Sequence, residues 1–370
     1  MFRVYGSRIS YFTGKLEAYL RYRGHAYTLL PTHPHASEIA RGTGSTQMPA
    51  MQLEDGRWTS DTTPLLAWLD GRDAGDAGDG APSIYPAEPA LRFVALLVED
   101  HADEWLWRPA MHYRWSYRLD RDHASGLLTD EQTSHVRLPR ALKRRRIVRR
   151  QLGGYVMDDG VGAQTRAHVE AAYLAALDQL EAILAQRRFL LGDAPSIADF
   201  GMMGPMLRHF GQDPTPADVM RSRAPGVYAW VARVWNTRAT RRATTWIPAI
   251  DAPLAALLRE ICETHLVQLR ENAIAVAAGQ SRFDQEIQGV RYARLPTGRY
   301  RVHCLEVLRR AWAALGADAR ERLQPFLAGP GASVLWDETT PLGSGYDPAG
   351  EAPFGRARNV FDKDVRPKRR

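Results

Sequence analysis

Several short clusters in this 370-residue chain hold residue types capable of chemistry. Glu99, Asp100, Asp103 and Glu104 set carboxylates at i, i+4 spacing. That pattern is open to acid–base work of the glycosidase kind or, more simply, to a solvated helix face and salt bridges. His33 and His35 flank Pro34, but no further ligand stands at metal-site spacing, so no metal centre is expected. His101, Trp105, Trp107, His112, Tyr113 and Trp115 crowd one stretch. Such side chains suit a flat apolar molecule and serve equally as core and interface packing. Cys262 and Cys304 are too few for a disulfide framework or a four-cysteine zinc site; the one available bridge would join them. From Arg137 to Arg150, eight basic residues follow one another without an acid. This run could meet nucleic acid, anionic lipid or an acidic partner, or stand as a solvated insertion; no aromatic within it offers base stacking.

The elements that must position these groups can be read from periodicity. Phe2–Tyr5 reads as a strand, the turn Gly6–Ser10 comes next, and Phe12, Leu16, Tyr19 and Leu20 mark one face of a helix that Gly24 stops. Ala26–Leu30 is a second strand, parallel to the first if the helix is a crossover. A polar loop carries His33–His35. Residues 49–53 and 57–59 flank Glu54-Asp55-Gly56 as a hairpin, and Asp61–Leu69 reads as a helix. Residues 71–89, rich in Gly, Ala, Asp and Pro, read as a linker. Helical spacing then runs from about 90 to 245. Val94, Leu97, Val98, His101 and Trp105 share a period, with Pro109 expected to bend or end their helix. Gly153-Gly154 is expected to separate the basic run from a helix over 163–186. Ser196 and Asp199 fit an S-x-x-D capping box worth about 1 kcal/mol. Residues 252–275 and 299–315 are amphipathic; irregular chain is expected from Ala328, with a frayed basic end at Arg366–Arg370.

The order βαβ–ββα, Met48-Pro49 ahead of the third strand, Asp61-Thr62 opening a helix, and Pro195–Phe200 after Phe189–Asp193 together resemble the glutathione S-transferase family, in a long, divergent branch of bacterial type. The resemblance spans residues 1–245. It implies a thioredoxin-like glutathione-binding domain (1–75), a linker (76–90), an all-α domain (91–245) and a helical extension with a basic tail (246–370). It also implies glutathione as cosubstrate, held by Gln47, Met48, Pro49, Asp61 and Thr62. Thr62 would meet the γ-glutamyl carboxylate, Asp61 the ammonium, and a cis Met48–Pro49 bond would offer Met48's backbone to the cysteinyl unit. No cysteine lies near Ser10, which sets aside a mixed-disulfide mechanism. Thiolate activation falls to Ser10, ahead of the first helix, or to Tyr11 or Tyr5. His101, Trp105 and His112 would line an interdomain pocket for an apolar electrophile. A homodimer is implied as well. The alternative is a non-catalytic scaffold of the same fold, metaxin-like, whose extra helices fill the cleft and whose basic segment binds a partner.

Composition bounds the rest. With 45% hydrophobic residues over this length, a disordered chain is excluded. The net charge is +7; without the basic run the remainder is about one charge negative, so the basicity is local. No apolar run reaches the ~18 residues of a membrane span, and the N-terminus has no signal-peptide pattern, so a cytoplasmic protein is expected.

Overall fold

The computed structural model describes residues 1–75 and 80–355. β1 (Phe2–Gly6) leads through a tight loop into α1 (Tyr11–Arg23), which starts at Ser10 and stops where Gly24 takes a left-handed φ of 75°. β2 (Tyr27–Pro31) returns parallel to β1. The stretch expected as a loop is instead a short turn at His33–His35 and α2 (Ala36–Thr43). Its single buried apolar residue, Ile39, packs with Tyr5 and Ala50, too small a signal for periodicity to reveal. β3 (Ala50–Gln52) and β4 (Trp58–Ser60) form the expected hairpin, which runs on into α3 (Thr62–Asp73). The sheet order is β2-β1-β3-β4, with β3 antiparallel to β1 in the register Val4↔Met51.

α4 (Pro89–Glu104) ends before Pro109, which sits in the first turn of α5 (Trp107–Ser116), where a missing N–H costs little. α6 (Arg118–Gln132) and α7 (Arg140–Gln151) form a hairpin. Gly153-Gly154 does not end the basic helix; the pair lies in a π-helical turn, Leu152–Met157, that prolongs α7. α8 (Arg166–Leu184), α9 (Ile197–Pro205), α10 (Pro214–Arg223) and α11 (Pro225–Asn236) complete the helical domain. Every residue of α9 is buried, and Gly201 allows the approach of α4: a Cβ there would lie 2.9 Å from Glu99 Cα. The capping box closes as expected. The buried Asp199 carboxylate accepts from Ser196 N–H (2.9 Å), Ser196 Oγ (2.8 Å), Leu190 N–H (3.0 Å) and Trp230 Nε1 (3.0 Å).

The extension is not wholly helical. α12 (Ala252–Glu263) and α13 (His265–Ala277) break at Thr264. A hairpin comes next, β5 (Arg282–Ile287) with β6 (Val290–Pro296), turning at Gln288 (φ 50°) and Gly289 (φ 77°). Inward Phe283, Gln285 and Ile287 alternate with outward charges, a period of two. α14 (Arg299–Ala313) and α15 (Ala317–Leu323) pack on α4. The irregular chain beyond reaches the sheet domain as well as the helical one: Ser60 N–H donates to the Pro353 carbonyl (3.2 Å), and Phe354 meets Trp68 edge-on at 5.0 Å. Cys262 and Cys304 are buried free thiols, so the bridge between them does not form. Part of the expected linker and the Arg366–Arg370 tail lie outside the described residues. Among those described, no helix is long and apolar enough to cross a membrane.

Candidate functional site

Ser10, Gln47, Met48, Pro49, Asp61 and Thr62 line one hollow of about 370 Å³. Each is placed by the end of an element. Ser10 is the N-cap of α1, its Oγ accepting from Thr13 N–H at 3.5 Å. An accepting hydroxyl still has its own proton to donate. The loop before it is fastened from the helical domain. Gln132 Nε2 donates to the Gly6 carbonyl (2.9 Å), Glu131 takes Arg8 N–H (3.1 Å) and Ser7 Oγ, and Arg114 Nη1 donates to the Ile9 carbonyl (2.5 Å). Arg114 is itself buried against Asp213 at 2.7 Å, whose carboxyl is pushed up to about 6 by burial, partly offset by Arg114.

The two tyrosines behave differently from Ser10. Tyr11 contributes its ring to the lining, but its hydroxyl donates to the Ala102 carbonyl, and burial raises the phenol well above its usual range. Tyr5 lies outside the hollow, stacked on Trp58 at 5.1 Å with its hydroxyl 3.3 Å from Glu38. Strand alternation sends it to the α2 side of the sheet.

The Met48–Pro49 bond is cis, as expected. Met48 precedes β3, and its N–H and C=O make no hydrogen bond among the described residues. Asp61 caps α3 in the left-handed region (φ 67°), its Oδ1 accepting from Thr63 N–H at 3.4 Å. Tyr300 Oη donates to Oδ1 (3.1 Å) and Tyr346 Oη to Oδ2 (3.4 Å). Withdrawal from water raises the Asp61 carboxyl, against the pull of Lys15, His303 and Tyr300. The Thr62 side chain is buried in the first turn of α3, facing the hollow.

The carboxylate cluster of α4 is paired, not a solvated face. Lys15, fully buried on α1, meets Glu99 and Asp103 (2.5 Å to the latter), with Thr63 completing the group. Burial alone would lower the Lys15 ammonium; Asp103 and Glu99 outweigh it and raise it. Asp100 meets His265 (2.6 Å) and Glu104 meets Arg301 (3.4 Å). Glu104 lines the hollow, and burial pushes it up to about 7 against the attraction of Arg301.

His101, Trp105 and His112 do not line the hollow; each packs in the interior. His101 is buried against His265 with neither ring nitrogen hydrogen-bonded among the described residues. Trp105 lies between Arg108 and His168. His112 meets Glu170 (2.9 Å) and Ser116 (2.8 Å). The wall belongs instead to Trp107, Met111 and Trp115, at i, i+4, i+8 on α5, with Phe12 stacked on Trp107 at 5.8 Å. Leu128, Ile147 and Tyr155 continue it. His33 lines the hollow while His35 turns to Glu38 (3.3 Å), so the two imidazoles diverge. No group of three metal-ligating side chains occurs among the described residues.

Two of the eight cations in the basic run meet carboxylates among the described residues. Arg140 forms a two-point pair with Asp130 (2.7 Å each), Arg144 meets Asp122, and Lys143 donates to the Thr133 carbonyl (2.8 Å). Arg137, Arg145, Arg146 and Arg149 are exposed and carry no carboxylate partner among the described residues. Arg114, Tyr300, Arg301 and Tyr346 went unflagged in the sequence. The last three come from the extension, where no local pattern marks them.

Residues 4–77 match the family described as glutathione S-transferase, N-terminal domain, and residues 163–233 match glutathione S-transferase, C-terminal domain. Comparison with curated proteins finds no match. Among solved structures, the chain is similar to the beta-etherase LigF from Sphingobium sp. strain SYK-6 (18% identity, 63% of this chain and 94% of that one, TM-score 0.43). It is similar also to a glutathione S-transferase from Pseudomonas fluorescens Pf-5 (19% identity, 65% and 97%, TM-score 0.38). A third is a glutathione S-transferase from Xanthobacter autotrophicus Py2 (20% identity, 70% and 100%, TM-score 0.38). The two domain matches fall in order on the four-stranded sheet domain and on α8–α11, and these two regions carry the N- and C-terminal domains of the glutathione S-transferase family.

Proposed function

We propose that this protein is a glutathione-dependent transferase that joins the thiolate of glutathione to an apolar electrophile. The observation that carries the reading is the convergence of Ser10, Met48 and Asp61-Thr62 on one open hollow. In the first turn of α3, Thr63 N–H is taken by Asp61, Pro64 has none and Leu65 N–H bonds the Asp61 carbonyl, so the Thr62 hydroxyl and N–H are the groups that suit the γ-glutamyl carboxylate at this helix N-terminus. The N–H and C=O of Met48, unpaired among the described residues, suit the cysteinyl backbone in strand-like pairing. Ser10 Oγ, with its proton unspent, donates to the sulfur and favours the thiolate. The thiol proton passes to solvent, the sulfur's electron pair forms the new C–S bond, and the leaving group departs with its own pair. Phe12, Trp107, Met111 and Trp115 form an apolar wall suited to a flat electrophile. A homodimer and a cytoplasmic site of action belong to the same proposal.

The scaffold alternative draws support from Arg137, ahead of α7, and Arg145, Arg146 and Arg149 on it, exposed and with no carboxylate partner among the described residues, a surface for an anionic partner. It is weakened by the extension, which roofs the hollow without filling it. Isothermal calorimetry with glutathione separates the two. The proposal expects saturable binding by the wild type and a loss of about tenfold or more in Thr62→Ala. No heat and no thermal shift at millimolar glutathione would leave the scaffold reading in place.

A further inference from the structure

Three side chains meet at the extension's contact with α3, and their donors are already committed. The Tyr300 and Tyr346 hydroxyls both donate to the Asp61 carboxylate, at 3.1 and 3.4 Å. A phenol that donates its single proton to a carboxylate has only lone pairs left to offer. Neither phenol oxygen accepts a hydrogen bond from any other described residue, and both residues line the hollow. Asp61 Oδ1 takes two donors, Thr63 N–H and Tyr300, which fills its usual capacity. Oδ2 takes only the longer contact from Tyr346, leaving one acceptor position open. The two rings stand edge-to-face with centroids 4.9 Å apart, and Tyr346 leans on His303 at 4.8 Å, so the geometry is held by packing.

We infer that Tyr300, Tyr346 and Asp61 Oδ2 form an acceptor-only subsite for a primary ammonium, built by the extension within a single chain. An ammonium has three N–H donors, and the subsite presents three acceptors and no donor. Burial and the Asp61 charge raise both phenols, which keeps each proton on its phenol oxygen, where it donates to the carboxylate. The subsite therefore selects a thiol with a free α-ammonium and rejects one whose amine is acylated, since an amide neither carries the charge nor supplies three donors. This deepens the glutathione reading and rests on it: Tyr300 and Tyr346 act as specificity-determining residues at the amino end of the cosubstrate.

The test is calorimetry with glutathione and N-acetylglutathione on the wild type, Tyr300→Phe, Tyr346→Phe and the double variant, each checked for an unchanged melting temperature. The phenylalanines keep the ring packing, and the single variants stand on their own if the double does not fold. Wild type is expected to bind glutathione at least about thirtyfold more tightly than the acetylated thiol. Each lost hydroxyl is expected to weaken glutathione about tenfold, leave N-acetylglutathione unchanged, and so shrink the ratio. Unchanged selectivity in the folded variants would overturn the subsite while leaving glutathione binding in place. Equal weakening of both thiols would overturn it too, because a general structural role predicts that result. If the wild type binds neither thiol, the glutathione reading falls and the subsite falls with it.

Discussion

Among the carboxylates at helix N-termini, Asp199 and Asp61 are finished differently. Asp199, in the first turn of α9, accepts four hydrogen bonds at 2.8–3.0 Å, all from the helical domain, and nothing is left over. Asp61, capping α3, accepts three at 3.1–3.4 Å, two of them from an extension far along the chain, and keeps an acceptor position toward the hollow. Burial raises both carboxyls. The difference lies in satisfaction: a completed carboxylate holds a fold, and an incomplete one beside an open space is placed to meet a ligand.

The contrast breaks most readily at Asp199. Asp199→Ala strands two amides, a hydroxyl and an indole N–H in the interior, and about 3–5 kcal/mol of stability should be lost, read by urea denaturation. Asp61→Asn should cost less than about 1 kcal/mol, since asparagine tolerates a positive φ, yet weaken glutathione about a hundredfold in calorimetry. Should Asp61→Asn prove as destabilising as Asp199→Ala, the distinction between the two would be lost.

A third buried carboxylate sharpens the contrast through pH. Glu104 faces Arg301, Asp100 and Asp159, and its folded value is about 7 against an ordinary 4.5. The folded state therefore holds a proton that the unfolded state has released. The stability this contributes is complete below about pH 4.5 and is lost as pH rises toward 7. It should amount to no more than about 3 kcal/mol. Glu104→Gln should flatten that part of the stability–pH curve; an identical slope in the variant would count against the assignment. The smallest effect is expected at Ser10. Ser10→Ala should leave glutathione affinity within about threefold and raise the bound thiol toward its free value near ~8.5, monitored by thiolate absorbance against pH. An unchanged thiol titration would remove Ser10 from catalysis.

The sheet-domain side of the hollow was legible in the sequence because its signals are local. A serine ahead of a helical period, a proline opening a strand and an Asp-Thr pair opening a helix each declare themselves within a few residues. The opposite wall was not legible. α4 breaks at Trp105-Leu106 before α5 begins, which resets the helical phase. His101, Trp105 and His112 therefore could not be assigned to one face by a single period, although Trp107, Met111 and Trp115 do keep a common spacing within α5. The hairpin of the extension hid because its inward Gln285 is polar, which blurs the alternation. Tyr300 and Tyr346 reach Asp61 only through tertiary packing, across more than two hundred residues of chain, and no local pattern announces them.

A crystal of the protein soaked with glutathione tests the central claim most directly. The tripeptide should occupy the hollow with its sulfur beside Ser10 Oγ, its cysteinyl backbone paired with Met48, its γ-glutamyl carboxylate at Thr62 and its ammonium against Asp61 Oδ2. A hollow left empty at saturating glutathione, or a tripeptide bound away from these four residues, would contradict the account.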